Sequence, residues 1–216
     1  MIPLLHDFAG ERVLVVGGGP VGARKARRFA REAEVVVLAP AFADADFGDA
    51  SLVRAAPDPE EVGAWLDRVE PALAVAATDD GAVNAAVERE ARERGLLVNR
   101  ADRSAADGAR DPGSVVVPAT ARDGPVVASV GTGGRSPALS RHLRREAEEL
   151  VAGAGELAAL TAELREELRE EPPDRRREAL RAVVASDAVW KALDTPEDNP
   201  RETARAVIAD VTGDPT

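Results

Sequence analysis

Six residues early in the chain, from Gly17 to Gly22, have the types and spacing needed to hold a phosphate group. Four of them are glycines, and Gly17, Gly19 and Gly22 fit the pattern Gly-x-Gly-x-x-Gly. The first glycine permits a tight turn, the second lets a pyrophosphate approach the backbone, and the third lets a helix pack closely on a strand. The amides that begin the helix supply donors and partial positive charge. The pattern therefore predicts a dinucleotide site formed by Gly17, Gly18, Gly19, Pro20, Val21 and Gly22.

The residues around these glycines have the periodicity of a strand and a helix. Arg12 to Val16 is a continuous apolar run, typical of a strand buried on both faces. From Val21 to Ala33 the apolar residues recur at helical spacing. A second apolar run, Val35 to Ala39, completes a βαβ unit whose crossover we expect to be right-handed. This context favours a dinucleotide site over the alternative, a glycine turn with a structural role alone.

The same alternation continues to Asn99 and predicts an α/β fold with a doubly wound parallel sheet of Rossmann type. Further strands are predicted at residues 51–55, 73–77 and 96–99, and helices at 59–68 and 79–94. From Arg100 to Ser114 the chain lacks apolar periodicity and is predicted to be a loop. We therefore expect an NAD-binding domain at residues 1–113.

The next part of the chain favours a small α+β segment at residues 114–152. Two β-prone runs, 115–120 and 125–130, are joined by residues 121–124, whose Asp-Gly step favours a hairpin turn. Ser136 is a good N-cap and Pro137 suits the first helical position, so a helix is predicted to run to about Val151.

The last part of the chain, residues 153–216, is predicted to be a helical domain. From Glu156 to Val211 the sequence shows helical stretches and no strand-like run. The stretches are broken at Pro172-Pro173 and at Asn199-Pro200, because proline cannot continue a helix.

The composition excludes several classes of function. The chain has no cysteine, which excludes disulfides, thiolate metal sites and cysteine nucleophiles. A formal charge of −11 argues against a nucleic-acid partner. No apolar run approaches the roughly 20 residues that cross a bilayer, and the first residues lack the features of a secretion signal, so we expect no membrane partner and a cytoplasmic location. The evenly spread acidic residues resemble a halophilic surface, although codon usage also explains the preference for arginine over lysine.

The acidic residue expected after the second strand is missing. In dinucleotide-binding domains an Asp or Glu about 20 residues beyond the glycines binds the ribose of NAD. Here the chain reads Leu38-Ala39-Pro40-Ala41, with neither an acid nor an arginine for a 2′-phosphate. We expect the ribose to lie at Pro40 and Ala41 and to be held by backbone groups or from elsewhere. These residues leave NAD and NADP undecided.

Four separated segments of residues 1–150 are each common in proteins, but together and in this order they form a specific pattern. They are Pro3-Leu4 ahead of residues 12–25, Ala77-Thr78-Asp79-Asp80 with Val83-Asn84, Val98-Asn99 with Asp102, and residues 133–139 running into Arg141 to Arg145. In this order they resemble the precorrin-2 dehydrogenases of siroheme synthesis, some of which are also sirohydrochlorin ferrochelatases. The resemblance implies an oxidoreductase that converts precorrin-2 to sirohydrochlorin with NAD as electron acceptor. It also implies a homodimer, formed through a dimerisation domain, and a helical tail that helps form the substrate cleft.

The resemblance assigns a catalytic role to an aspartate after the Val-Asn strand, which is Asp102 here. Oxidation of precorrin-2 removes two electrons and two protons, so the site needs a proton acceptor. Partial burial beside the macrocycle is expected to raise the pKa of Asp102 toward the working range. The alternative is a solvated loop aspartate.

Three further residues are expected to border the cofactor: Thr78, Asp79 and Asn99. Thr78 and Asp79 end one predicted strand and open the following helix, so either is also expected to cap that helix. The two roles are compatible.

Cationic groups follow Gly133, where a polycarboxylate substrate would need them. Arg135, Arg141, Arg144 and Arg145 cluster around the helix that begins after Ser136, and arginine grips carboxylates bidentately. The alternative is pairing with Glu148 and Glu149 along the same helix. The amides of Thr132, Gly133 and Gly134 are candidates for another carboxylate.

No resident metal site is predicted, because His6 and His142 are isolated in the sequence. If the protein inserts ferrous iron into sirohydrochlorin, Asp102 is the candidate acceptor for the pyrrole protons and His142 the candidate assistant.

Two other functions share the glycine turn. One is an NAD-sensing regulatory subunit, such as the cytosolic gating domain of a potassium transporter, and the other is a different Rossmann dehydrogenase. The segment from Gly133 to Pro137 favours the precorrin-2 enzyme over the sensor, because a sensor has no need of a polycarboxylate site.

Overall fold

Five parallel strands form one sheet in the spatial order β3-β2-β1-β4-β5. They are β1 (Arg12–Val16), β2 (Glu34–Ala39), β3 (Ser51–Arg54), β4 (Leu73–Ala76) and β5 (Leu97–Arg100), connected by helices α1 (Pro20–Phe29), α2 (Val62–Val69) and α3 (Gly81–Glu93). The structure, a computed structural model, describes residues 2–103 and 113–213. It has two compact units, Met1–Val117 and Pro118–Thr216. The predicted α/β fold with a doubly wound parallel sheet of Rossmann type is confirmed.

Both faces of the central strand β1 are buried, as its continuous apolar sequence predicts. Leu14 and Val16 pack with residues of α2 and α3, whereas Val13 and Val15 pack with residues of α1. The strand order reverses between β1 and β4, and open α/β sheets bind ligands outside the carboxyl ends of strands at such a reversal. The fold therefore predicts a ligand site at the residues that follow Val16.

Two boundaries in this unit differ from the sequence prediction. Helix α1 ends at Phe29 instead of Ala33, because the chain must turn at once into β2. The residues at 113–115, expected to belong partly to a loop, lie beside β5: the amide of Val98 donates to the Gly113 carbonyl, and the amide of Val115 donates to the Val98 carbonyl. The remainder of the predicted loop, at 104–112, lies outside the described residues.

The second unit begins with an antiparallel hairpin of β6 (Ala119–Asp123) and β7 (Val126–Val130). The strand predicted at 115–120 was placed too early, since Pro118 cannot donate to a strand ladder. The turn consists of Gly124 and Pro125 rather than residues 121–124, because Gly124 supplies the positive φ of 51° that the first turn position requires.

Helices account for the rest of this unit. They are α4 (Pro137–Val151), α5 (Ala154–Glu167), α6 (Pro173–Ala185), α7 (Asp187–Asp194) and α8 (Pro200–Thr212). Helix α4 packs on the hairpin, and the four that follow share a small apolar core that includes Leu164 and Val183. The predicted breaks before Pro173 and Pro200 are confirmed. Within the described ranges, no helix is both long and apolar enough to cross a bilayer.

Candidate functional site

The glycine turn joins β1 to α1 and has no space for side chains at Gly17, Gly18 and Gly22. A Cβ at Gly17, whose φ is +128°, would lie 2.3 Å from the Ala77 carbonyl oxygen. At Gly18 it would lie 2.2 Å from the carbonyl oxygen of Ala41. A Cβ at Gly19 would meet nothing within 4 Å. The turn thus packs against protein on one side and faces open space at Gly19.

The first turn of α1 is suited to an anion. Its N-cap, Gly19, provides no side-chain hydrogen bond, and no acidic residue lies in the first turn. Pro20 has no amide proton of its own, so the following amides of Val21 and Gly22 are the ones available to a ligand. The helix dipole adds partial positive charge there. Together with the open space at Gly19, these features fit the pyrophosphate of a dinucleotide.

Asn99 carries an unused acceptor in the same unit. Its amide nitrogen Nδ2 donates to the Val115 carbonyl at 2.8 Å, which orients the side chain. Its oxygen Oδ1 is buried and has no hydrogen-bond partner among the described residues. Buried acceptors are nearly always paired, so this oxygen fits a donor from a ligand or a water molecule.

An arginine that the sequence pattern did not predict lies beside the end of β2. Pro40 and Ala41 are exposed there, as a contact with ribose requires. Arg54, the last residue of β3, pairs in register with Ala39 and donates from Nη1 to the Pro40 carbonyl at 3.2 Å. Its guanidinium carbon lies 5.8 Å from the centre of the Phe42 ring. Only the strand register could have revealed this neighbour.

Asp102 follows β5 and is paired bidentately with Arg100. The Arg100 nitrogens Nε and Nη2 donate to the two Asp102 oxygens at 2.8 and 2.6 Å. These hydrogen bonds and the positive charge of Arg100 lower the pKa of Asp102, outweighing the opposite effect of partial burial. The expectation of a raised pKa was therefore wrong, because the sequence did not show the Arg100 contact.

A buried carboxylate lies behind this pair. Glu88 of α3, whose side chain is only 8% exposed, accepts from Arg100 Nη1 at 2.9 Å. Its other oxygen accepts from Arg92 and Arg103, each at 3.2 Å. Three guanidinium groups thus balance the charge of Glu88. The separation of 12 residues between Glu88 and Arg100 gave no local signal for this contact.

The helix cap after β4 is Asp80, so the assignment of that role to Thr78 or Asp79 was wrong. Asp80 accepts from the amides of Ala82 and Val83 at 2.7 and 3.2 Å. It is the residue whose side chain reaches the free amides of α3, and Asp79 is exposed.

Thr78 is held instead by Asn84, which is buried in α3. The Asn84 oxygen Oδ1 accepts from the Thr78 amide at 3.1 Å and from its hydroxyl at 2.8 Å, while Nδ2 donates to the Thr78 carbonyl at 2.9 Å. Asn84 also lies near Asp102 and makes a small contribution to lowering the pKa of that carboxylate. The carboxyl ends of the adjacent strands β4 and β5 thus lie at one edge of the sheet, where Gly17 of the glycine turn contacts Ala77.

In the second unit, the loop before α4 is ordered by its own hydrogen bonds. The Thr132 hydroxyl donates to the Ser136 carbonyl at 3.2 Å and shares a hydrogen bond of 2.8 Å with the Ser140 hydroxyl. Ser136 caps α4 by accepting from the Leu139 amide, which confirms the predicted cap. Gly133 has a positive φ of 61° and open space around it.

The arginines of this unit differ in their pairing. Arg144 forms an ion pair with Glu148, as the alternative interpretation of this cluster expected. Arg135, Arg141 and Arg145 are exposed, and within the described part of the chain they have no ion-pair partner. Three cations are therefore available to an anionic ligand.

The two histidines have different surroundings. His142 is exposed on α4 next to Arg141, and the His6 ring is tilted against the Phe8 ring with ring centres 4.4 Å apart. Among residues 2–103 and 113–213, no group of three or more His, Asp or Glu side chains is arranged to hold a metal ion.

Comparison with known proteins gives consistent results. A family described as "Putative NAD(P)-binding" matches residues 4–119. Precorrin-2 dehydrogenase of Methanosarcina barkeri is 30% identical over 220 residues, covering 96% of this chain and 93% of the relative. Siroheme synthase of Pseudomonas putida is 37% identical over 177 residues, covering 80% of this chain and 36% of the relative. In the solved structure of SirC, precorrin-2 dehydrogenase, the fold is similar, with a TM-score of 0.67 and 22% identity over 97% of this chain and all of that one.

Proposed function

The chain belongs to the precorrin-2 dehydrogenase family, and we propose that it is an enzyme that oxidises precorrin-2 to sirohydrochlorin with NAD. The observation that carries this proposal is the placement of Asp102. It follows β5, whose last residue Arg100 pairs in register with Ala76 of β4, and the glycine turn contacts Ala77 at the end of β4. A carboxylate kept ionised and a dinucleotide turn thus lie at the same edge of one sheet.

The reaction requires two acceptors, one for a hydride and one for a proton. Bound NAD supplies the acceptor for a hydride, which carries two electrons and one proton. The second proton requires a base, and we assign it to the carboxylate of Asp102. Asp102 is ionised at neutral pH, because the ordinary pKa of an aspartate lies well below 7 and Arg100 lowers it further, so the group accepts this proton without prior deprotonation.

Residues of the first unit are assigned to the cofactor. The turn from Gly17 to Gly22 would hold the pyrophosphate, and Pro40 and Ala41 would lie along the ribose with Arg54 beside them. The unpaired Oδ1 of Asn99 would accept from an amide or hydroxyl donor of the cofactor. Thr78 and Asp79 would border the same molecule, with Thr78 fixed by Asn84.

Residues of the second unit are assigned to substrate carboxylates. Arg135, Arg141 and Arg145 have no ion-pair partner among the described residues of a protein whose net charge is −11. Local cations in an acidic protein favour a polyanionic ligand. We assign Arg144 a smaller part because it pairs with Glu148, and the amides of Thr132, Gly133 and Gly134, near Ser136, to one further carboxylate.

We also propose that the protein is a cytoplasmic homodimer that associates through α4. This helix exposes Leu139, Leu143 and Leu150, which are 46%, 39% and 78% exposed in the single chain. Apolar surface on one helix is typical of a subunit interface.

The test is anaerobic incubation of the purified protein with precorrin-2 and NAD, following formation of NADH. We expect turnover for the unmodified chain, and for Asp102→Asn a loss of roughly 10²- to 10⁴-fold with NAD binding unchanged. Asp210→Asn, on the exposed surface of α8, is the matched control. NAD binding without turnover of precorrin-2 would instead support a sensor. A separate assay with ferrous iron and sirohydrochlorin tests whether the protein is also a chelatase, with His142→Ala testing an assisting role for His142.

A further inference from the structure

We propose that Arg100 is a positioning residue for this reaction, which holds the carboxylate of Asp102 in one orientation, and that Glu88 holds Arg100 in turn. The proposal rests on the function proposed above for Asp102. It adds two residues that neither the sequence pattern nor the family resemblance assigned.

The geometry of the Arg100 contact supports this role. Both Asp102 oxygens accept from the same guanidinium, so the plane of the carboxylate is fixed. Arg100 occupies one acceptor position on each oxygen, and an ionised carboxylate has about four such positions in all. The Arg100 side chain is 10% exposed and the Asp102 side chain 33% exposed. The arginine is therefore confined by the protein, whereas the carboxylate is accessible.

Glu88 explains why Arg100 keeps its orientation. The guanidinium uses Nε and Nη2 for Asp102 and Nη1 for Glu88, so two acids hold it from two sides. A guanidinium buried to this extent is costly without a partner, and Glu88 provides one on the side away from Asp102. Loss of Glu88 would release Arg100 and, through it, Asp102.

The charges around Asp102 determine its response to pH. The groups facing it are Arg100 on β5 and Asn84 on α3, with Glu88 behind Arg100 and Arg103 next along the chain. Arg100 lowers the pKa of Asp102, and Asn84 makes a smaller contribution in the same direction. A protonated Asp102 cannot accept a proton, so activity is lost below its pKa. Removal of Arg100 would move this acidic limit to higher pH.

The experiment compares four full-length variants, each with its pH profile of kcat. In Arg100→Gln the acidic limit should rise by about one to three pH units. In Arg100→Lys the charge is retained, so the limit should stay near that of the parent, while kcat falls roughly 10- to 100-fold because the bidentate contact is lost. Glu88→Gln should also lower kcat, because it releases Arg100. Arg92→Gln, which removes another guanidinium from Glu88 without contacting Asp102, is the matched control.

A second measurement does not depend on turnover. Carbon-13 NMR of labelled aspartate follows the titration of Asp102, whose signal is the one missing in Asp102→Asn. We expect this signal to titrate at higher pH in Arg100→Gln than in the parent. If Arg100→Gln does not fold, Arg100→Lys and Glu88→Gln decide the outcome.

The outcomes separate this proposal from the one on which it rests. If Asp102→Asn keeps full turnover, the assigned base is wrong and both proposals are overturned. If Asp102→Asn is inactive but the Arg100 variants keep the kcat and acidic limit of the parent, only the positioning role is overturned. A normal kcat in Arg100→Lys alone would overturn the orienting part of that role.

Discussion

Gly22 lies directly against Gly17, so that a Cβ at position 22 would sit 1.9 Å from the Gly17 carbonyl oxygen. Gly19, between them, faces open space. The two outer glycines are therefore required by the packing of the protein itself. The middle glycine has no such requirement and is explained by a ligand that approaches the backbone.

This difference predicts opposite behaviour for two alanine variants. Gly22→Ala should lower the free energy of unfolding by about 1–3 kcal/mol, because the added methyl group overlaps the Gly17 carbonyl. Gly19→Ala should keep the melting temperature of the parent but weaken NAD binding at least about tenfold, or ~1.4 kcal/mol. Calorimetry and fluorescence titration measure the two effects. Unchanged NAD affinity in Gly19→Ala would show that the pyrophosphate lies elsewhere.

Arg54 predicts the response to a phosphate on the ribose. The guanidinium lies next to Pro40, where the 2′ position is expected, and arginines accommodate the 2′-phosphate of NADP. Arg54→Gln should weaken NADP binding by about tenfold or more and NAD binding much less. Isothermal titration with each nucleotide tests this, with the exposed Arg31→Gln as control. Equal losses for both nucleotides would argue against a contact at the 2′ position.

The exposed arginines of α4 predict an effect on KM. Replacing Arg141 and Arg145 together by Gln should raise KM for precorrin-2 about tenfold and leave kcat nearly unchanged, since these groups would bind substrate carboxylates remote from the reacting carbon. Arg144→Gln should have a smaller effect because of its pair with Glu148. Steady-state kinetics with Arg169→Gln as control provides the comparison, and an unaltered KM in the double variant would remove these residues from the substrate site.

Lys25 predicts a pH dependence of stability. Burial, together with Arg28 and Arg24, lowers the pKa of Lys25 from 10.5 to about 8. Between these two pH values the unfolded chain binds more protons than the folded one. The free-energy cost of burying Lys25 in the folded state therefore decreases as the pH rises. Lys25→Met should be more stable than the parent at neutral pH, and the difference should shrink toward pH 10.5. Denaturant titration at several pH values measures it, and a constant difference would contradict the prediction.

The exposed leucines of α4 predict the oligomeric state. Leu139→Glu with Leu143→Glu should convert the dimer to a monomer, since two charges would enter an apolar interface. Light scattering coupled to gel filtration reads the mass directly. Leu52→Glu is the matched control, because Leu52 is also about half exposed but lies on β3. A monomeric parent protein would refute the proposed dimer.

Features encoded by neighbouring residues could be predicted, and those formed by distant residues could not. The glycine turn and the Ser136 cap depend on a few consecutive residues, and both were identified from them. The contact of Arg54 with Pro40 depends on how β3 aligns with β2, and that of Arg100 with Glu88 depends on how α3 packs on β5. The predicted upward shift of the Asp102 pKa was wrong for the same reason, because the effect of Arg100 outweighs that of burial.

The side chain of Asn84 has a consequence for the order of events during binding. It fixes Thr78 by three hydrogen bonds and lies near enough to Asp102 to lower the pKa of that carboxylate, so one amide group adjoins the loops that follow β4 and β5. A molecule that immobilises Thr78 would then reduce the conformational entropy that Asp102 has still to lose. By thermodynamic reciprocity, a molecule that engages Asp102 would in turn bind the first more tightly. We therefore expect Asn84 to make the two binding events cooperative.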